Sequence, residues 1–246
     1  MKITAKFRHE NLAKLLCLSI AAVLHCGNAA IYDEALTTYY RVVRPGLNEW
    51  YPLNGNLVSR IGSVTGTATA AYSAGTNRAG DSNKAVCTTT SRFDFSPMTF
   101  GAAPFTVSAW VKFNVLTAGP NSLLQRGVQM TGYRGFIIQQ NDTVSIPASL
   151  GDGSFSTNFV GAPATAGVWY YLALTYGNNV GTLYVGQYGG ALNQYSPSFG
   201  NGNYIQYTTT DFQVFVSAVN GCVDDLLHYN RALSVDEVRQ NFLSLE

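Results

Sequence analysis

Charge is scarce in this chain. Of its 246 residues only 12% are Asp, Glu, Lys or Arg, about half the roughly 25% usual for a soluble domain. The formal net charge is +1, so the basic footprint of a nucleic-acid-binding protein is missing. A disordered chain needs high net charge and few aromatics, whereas 13% of this one is Phe, Trp or Tyr. Coiled coils and helical repeats are rich in Ala, Glu, Lys and Leu, and that composition is absent as well. Histidine is rarer still, with three residues, and there are four cysteines. What fills the polar positions is uncharged: Ser, Thr and Asn together occupy 59 places, with 24 Gly and 15 Tyr beside them. Such a mix indicates a β-protein that works outside the cytosol, long enough for one domain with a sizeable core.

The first thirty residues have the layout of a secretory signal peptide. Lys2, Lys6, Arg8 and Lys14 form a basic start, residues 15–24 an apolar run, and Gly27, Ala29 and Ala30 a small-residue end. Cleavage is expected after Ala29 or Ala30, followed by an N-terminal extension over 31–47. The apolar run is too short to span a bilayer as a helix, so no transmembrane span is expected. A second route is a lipoprotein anchored through Cys26, because Val23-Leu24-His25-Cys26 loosely resembles a bacterial lipobox. His25 departs from the small residue usual there.

Removal of 1–30 leaves eleven basic and thirteen acidic residues, one histidine (His228) and two cysteines, Cys87 and Cys222. Two cysteines in an exported chain suggest one disulfide; the alternative is a pair of buried free thiols. A disulfide closing so long a loop is worth about 4–5 kcal/mol in the chain-entropy account.

Alternating apolar residues recur along the remaining chain. Phe105, Val107, Ala109, Val111 and Phe113 alternate with Thr106, Ser108, Trp110 and Lys112, as in a strand with one buried face. Residues 169–176 are apolar on both faces. Residues 182–185 follow the turn signal Gly177-Asn178-Asn179. Segments 212–218 and 222–229 are further strands, and 84–89 and 136–140 are weaker ones. The stretch 186–207 reads as a long loop or irregular hairpin. Ser234 and Glu237 have capping-box spacing, with Leu233 and Val238 placed as a hydrophobic staple; a short helix is expected after Ser234. The fold class expected is all-β, a sandwich or barrel. An outer-membrane barrel fits poorly, since 169–176 has no polar lumen face.

The order of four segments carries a family resemblance. Phe105-Thr-Val-Ser-Ala-Trp-Val-Lys112, Val168-Trp-Tyr-Tyr-Leu-Ala-Leu-Thr-Tyr176, Gly181-Thr-Leu-Tyr-Val185 and Gly221-Cys-Val-Asp-Asp-Leu-Leu-His-Tyr-Asn-Arg-Ala-Leu-Ser234 resemble successive strands of laminin-G-like and pentraxin-like jelly rolls. Trp50-Tyr-Pro-Leu-Asn-Gly-Asn56 resembles their opening motif. The resemblance runs over about 48–243 and implies a concanavalin A-like jelly-roll sandwich of two antiparallel sheets with a short C-terminal helix, occupying 48–246. It places the strands of Cys87 and Cys222 side by side, which supports their pairing. It also puts the face shared by Cys222, Asp224, Leu226 and His228 inside.

That family often holds Ca²⁺ near the aspartate corresponding to Asp224. Here the candidate ligands are Asp224, Asn54 and backbone carbonyls, oxygen donors of the kind Ca²⁺ takes. However, Ser59 or Arg60 stands where an aspartate is usual, and an arginine would repel the ion. The alternative is that Asp224 accepts backbone N–H bonds and fixes the loop. His228 lacks the partners a metal or catalytic site needs and reads as a structural strand residue. Trp110, on the polar face of its strand, is a candidate for stacking on a sugar, or else lies under a loop. Tyr188, Tyr195, Tyr204 and Tyr207 are candidate ligand contacts, since tyrosine offers rigid area at low entropic cost.

Catalysis finds little support. A glycosidase needs two carboxylates across the scissile bond, and Glu34, Glu49, Glu237 and Glu246, the glutamates after residue 30, form no such pair. The function expected is a secreted or surface binding module for glycans or glycoproteins. The alternatives are a protein-adhesion module and an atypical glycan-processing enzyme.

Overall fold

The computed structural model describes residues 41–62, 64–95, 104–128, 134–141, 145–152, 156–196, 212–216 and 219–244. The chain divides after Arg41, and the unit Val42–Glu246 carries the fold. Its strands in chain order are β1 (Leu47–Tyr51), β2 (Thr67–Ala68), β3 (Ser73–Gly75), β4 (Ala85–Thr88), β5 (Phe93–Phe95), β6 (Phe105–Phe113), β7 (Asn121–Val128) and β8 (Arg134–Gln140). Then follow β9 (Ser145–Asp152), β10 (Ser156–Pro163), β11 (Trp169–Gly177), β12 (Val180–Gln187), β13 (Leu192–Tyr195), β14 (Phe212–Val214), β15 (Gly221–Tyr229) and the helix α1 (Val235–Leu243).

Among the described residues these strands form two antiparallel sheets, which is the sandwich the segment order implied. One runs β13-β12-β11-β6-β15-β4-β3, with β1 also on β15; the other runs β10-β9-β8-β7-β14-β5-β2. The alternation in β6 sets the geometry. Phe105, Val107, Ala109, Val111 and Phe113 enter the core between the sheets, where they meet Phe136, Ile138, Leu150, Phe212 and Val214 of the second sheet. Strand β11 pairs with β6 and sends Leu172 and Leu174 into this core. Burying side chains of this size stabilises by about 1.5–3 kcal/mol each. Asn178 and Asn179 both adopt positive φ, 51° and 61°, closing the β11–β12 hairpin with the geometry of a type I′ turn.

The other face of β6 is also buried. Trp110 is 1% exposed, in a second apolar cluster with Val42, Val43, Trp50, Tyr171, Leu227, Tyr229, Val238 and Phe242. The helix forms this lid as its sequence directs. Ser234 and Glu237 make the reciprocal capping box, and Val238 and Phe242 face the sheet. Val42 and Val43 belong to the same lid, because the Val43 N–H donates to Asn241 Oδ1 at 2.8 Å. Val42 and Val43, inside the stretch 31–47 expected to be an extension, thus pack with the fold.

Cys87 and Cys222 are bonded to each other, directly opposite in the β4–β15 ladder. The face assignment of β15 needs correction. Asp224 is in register with Trp110, but Leu227 is in register with Ser108, so the ladder slips between them. Asp225 takes φ +46° at this bulge, a conformation Asp tolerates better than most residues. Cys222 and Asp224 consequently lie on the helix-covered face. Beyond the bulge, Leu226 and His228 lie on the inner one.

Candidate functional site

The loop before β4 is built to present one arginine. Asn77 Oδ1 accepts from the N–H groups of Ala79 and Asp81, and the Asn77 N–H donates to Asp81 O. This turn sends Arg78 under the helix. Its Nη1 meets Asp224 Oδ2 at 2.8 Å and Asp225 Oδ2 at 2.9 Å, and its Nη2 donates to the Ser244 carbonyl. All three charged side chains are at most 4% exposed. Burial, and next the adjoining Asp225 carboxylate, push the Asp224 carboxyl well up, with Arg78 opposing both.

These residues do not fit Ca²⁺. The carboxylate expected to face the ion is held by a guanidinium, and no group of three or more His, Cys, Asp and Glu gathers among the described residues. Asn54 lies exposed in the turn after Leu53, its carbonyl accepting from Asn56 Nδ2.

Trp110 cannot stack on a sugar where it stands. Phe242 stacks on it at 5.5 Å with planes 18° apart, and the Arg78 guanidinium carbon lies 4.8 Å from its ring centre. Of the two readings of Trp110, stacking on a sugar is corrected and burial under cover is the one the geometry agrees with: α1 and the Arg78 loop lie over it. Tyr188, at the end of the β12 ladder, is 43% exposed and packs edge-on against Trp110. Tyr195 lies in β13, half-buried against the inter-sheet core. Tyr204 and Tyr207 lie outside the described residues. The structure thus separates the predicted contacts: Trp110 is internal and Tyr195 partly so.

A different surface emerges on the outer face of the seven-stranded sheet. Successive register pairs run Thr67–Asp94, Asp94–Gln213, Gln213–Gln125, Gln125–Ile137 and Ile137–Ser149. These residues form one row across β2, β5, β14, β7, β8 and β9. Three of its side chains are linked: Gln125 Nε2 donates to Gln213 Oε1 at 3.4 Å, and Gln213 Nε2 donates to Asp94 Oδ1 at 3.0 Å. Arg92 closes the row, with Nε and Nη2 on the two Asp94 oxygens at 2.8 and 2.9 Å. Gln125, Gln213 and Asp94 are half-buried and Thr67 is exposed. On the same face, two residues beyond Ile137, Gln139 Oε1 is buried without a hydrogen-bond partner among the described residues. Sequence inspection missed this row because its members lie in segments far apart along the chain. Each is an ordinary Thr, Asp or Gln, and only the register aligns them.

Several other described acidic side chains are engaged away from this row. Glu237 forms a two-pronged pair with Arg231, which holds its carboxyl down at about 2. Asp236 pairs with Arg239. Glu49 is buried beside Tyr51 and Ser59, and burial raises its carboxyl. His228 is fully buried; that burial, with Arg126 nearby, lowers its imidazole to about 4.

No curated protein sequence matches the chain. Among solved structures, Trypanosoma rangeli sialidase in complex with 2,3-difluorosialic acid aligns with TM-score 0.56 and 18% identity, over 82% of this chain and 33% of that one. The chain therefore spans about a third of the sialidase. Domain 4 of AbnA, a GH43 extracellular arabinanase from Geobacillus stearothermophilus, in complex with arabinotriose, aligns with TM-score 0.56 and 17% identity, over 81% of this chain and 98% of that one. The binding domain of Botulinum Neurotoxin DC in complex with SialylT aligns with TM-score 0.58 and 10% identity, over 80% of this chain and 51% of that one. At these identities the likeness is one of fold. Residues 81–239, more than half of the chain, match the family described as the concanavalin A-like lectin/glucanases superfamily. The chain belongs to that superfamily.

Proposed function

We propose that this chain is a non-catalytic binding module, working outside the cytosol, that recognises a glycan on the outer face of its seven-stranded sheet. The observation that carries the proposal is the row Thr67–Asp94–Gln213–Gln125, where hydroxyl, carboxylate and amide groups stand side by side at the surface. Sugar hydroxyls both donate and accept, and such a row offers both kinds of partner. Family membership and the arabinotriose-bound neighbour support the proposal. So does the engagement of Glu49, Asp224, Asp225, Asp236 and Glu237 in pairs or burial, which leaves no carboxylate pair poised for hydrolysis among these five. The disulfide suits an oxidising compartment.

A glycan array probed with the full chain tests this. Gln213→Ala is expected to weaken binding roughly tenfold, about 1.4 kcal/mol, while stability stays within about 0.5 kcal/mol of wild type. Loss in Tyr188→Ala with Gln213→Ala unaffected would move the site to the β12–β13 hairpin. Binding to protein ligands alone would make the chain an adhesion module. Release of products from a polysaccharide would make it an enzyme.

A further inference from the structure

The polar row constrains the charge of what it binds. Its one carboxylate, Asp94, receives both Arg92 Nε and Nη2. The pair is therefore internally neutral, and the guanidinium fork is already used on one carboxylate. Arg126, the next cation along β7, is in register with Phe136 rather than Ile137 and lies on the inner side, near enough to His228 to influence its titration. From Gly127 to Asn220 the chain contains one basic residue, Arg134, and three acidic ones, Asp142, Asp152 and Asp211. Those residues include β8, β9, β10 and the segments joining them. Among the described side chains, a sugar acid or sulfated sugar along this row would meet Asp94 with no cation beside it but Arg92, which Asp94 already holds, and desolvating an unpaired charge is costly.

The row also has direction. Thr67, Asp94, Gln213 and Gln125 belong to four adjacent strands, so at a strand spacing of about 4.8 Å they extend roughly 14 Å perpendicular to the strands. That is the length of a short oligosaccharide rather than of one sugar ring. Beyond Gln125 the row continues to Ile137, which is 2% exposed, so the open stretch ends there on an apolar neighbour.

We infer that the ligand is an uncharged, extended oligosaccharide laid along Thr67–Asp94–Gln213–Gln125, its hydroxyls bridging successive strands. This rests on the glycan-binding function proposed above and goes further by excluding the acidic class.

Calorimetric titration of the full chain with two panels tests it. The neutral panel is xylo-, cello-, manno- and arabino-oligosaccharides of increasing length; the acidic panel is sialyllactose, oligogalacturonate and heparin fragments. At least one neutral series is expected to bind, tightening with length until the row is filled. Its affinity should change less than twofold between low and high salt, since no ion pair is formed. Gln125→Ala and Gln213→Ala should each weaken it roughly tenfold. Asp94→Asn frees Arg92 and should raise affinity for the acidic panel at least fivefold. Wild-type binding to the acidic panel as tight as to the neutral one, or salt-sensitive binding, overturns the inference while leaving a glycan function standing. Affinity that does not rise with ligand length overturns the extended mode. Failure to bind either panel overturns the glycan function itself.

Discussion

Arg78 is the residue on which the helix-covered face depends. It is one cation between two buried carboxylates, and it also reaches the last turn of the chain through Ser244. Removing one member of a buried ion cluster leaves the rest uncompensated. Arg78→Met is therefore expected to cost about 3–5 kcal/mol in urea unfolding. Asp225→Asn should cost less, because Asp224 still pairs. Equal losses in the two variants would show that Arg78 does not hold the cluster.

His228 gives stability an acid dependence of known sign. Its folded imidazole titrates at about 4, against about 6.5 in an unfolded chain. Between those values the unfolded state binds the proton and the folded state does not, so stability falls as pH drops through that window. The full effect is roughly 3 kcal/mol. Asp224 acts in the opposite sense, because its raised carboxyl takes up a proton on folding. The His228 contribution is therefore read as the difference between wild type and His228→Leu in unfolding midpoints at neutral pH and near pH 4. Parallel pH profiles for the two would remove the assignment.

At the scale of elements, the strands with clean alternation were legible. β6, β11, β15 and the capped helix follow from local pattern because one residue type repeats with the period of the structure. β9 and β10 are not legible in that way. β9 holds Pro147, which lacks an N–H for the ladder. Opposite it, the β10 register slips between Phe159 and Ala162. A Cβ at Gly161 would overlap the Ile146 carbonyl, so this glycine lets the bulge pass. The bulge at Asp225 likewise reversed the face of half of β15, which no alternation count shows. The disulfide acts at this scale too, tying β4 to β15 at a directly opposed pair. Cys87→Ser with Cys222→Ser is expected to lower unfolding free energy by about 2–5 kcal/mol. Reduction of the wild-type protein should reproduce that loss, and a reduced protein as stable as the oxidised one would contradict it.

At the scale of the whole molecule, the two sheets have been put to different use. The outer face of the eight-stranded sheet is closed by α1 and by residues from Val42 onward, with Tyr229 OH donating to Val43 O and Asn241 Nδ2 to Tyr229 OH. The outer face of the seven-stranded sheet presents the polar row. Both ends of the described fold thus lie on the face opposite the proposed ligand.

The sequence by itself determined the class of this protein. Low charge, alternating strands, a capping box and the order of four segments are local or compositional properties, and they sufficed for the sandwich and the helix. It did not determine the site. Trp110, with polar strand neighbours, could be read as a sugar platform or as covered, and a helix more than a hundred residues later decides it by covering the ring. Asp224 looked like an ion ligand, yet Arg78 arrives from a distant loop to take that place. Gln125, Gln213 and Asp94 carry no signal one by one. Their alignment is a matter of register between strands far apart in the chain, and register is decided only when the two sheets pack.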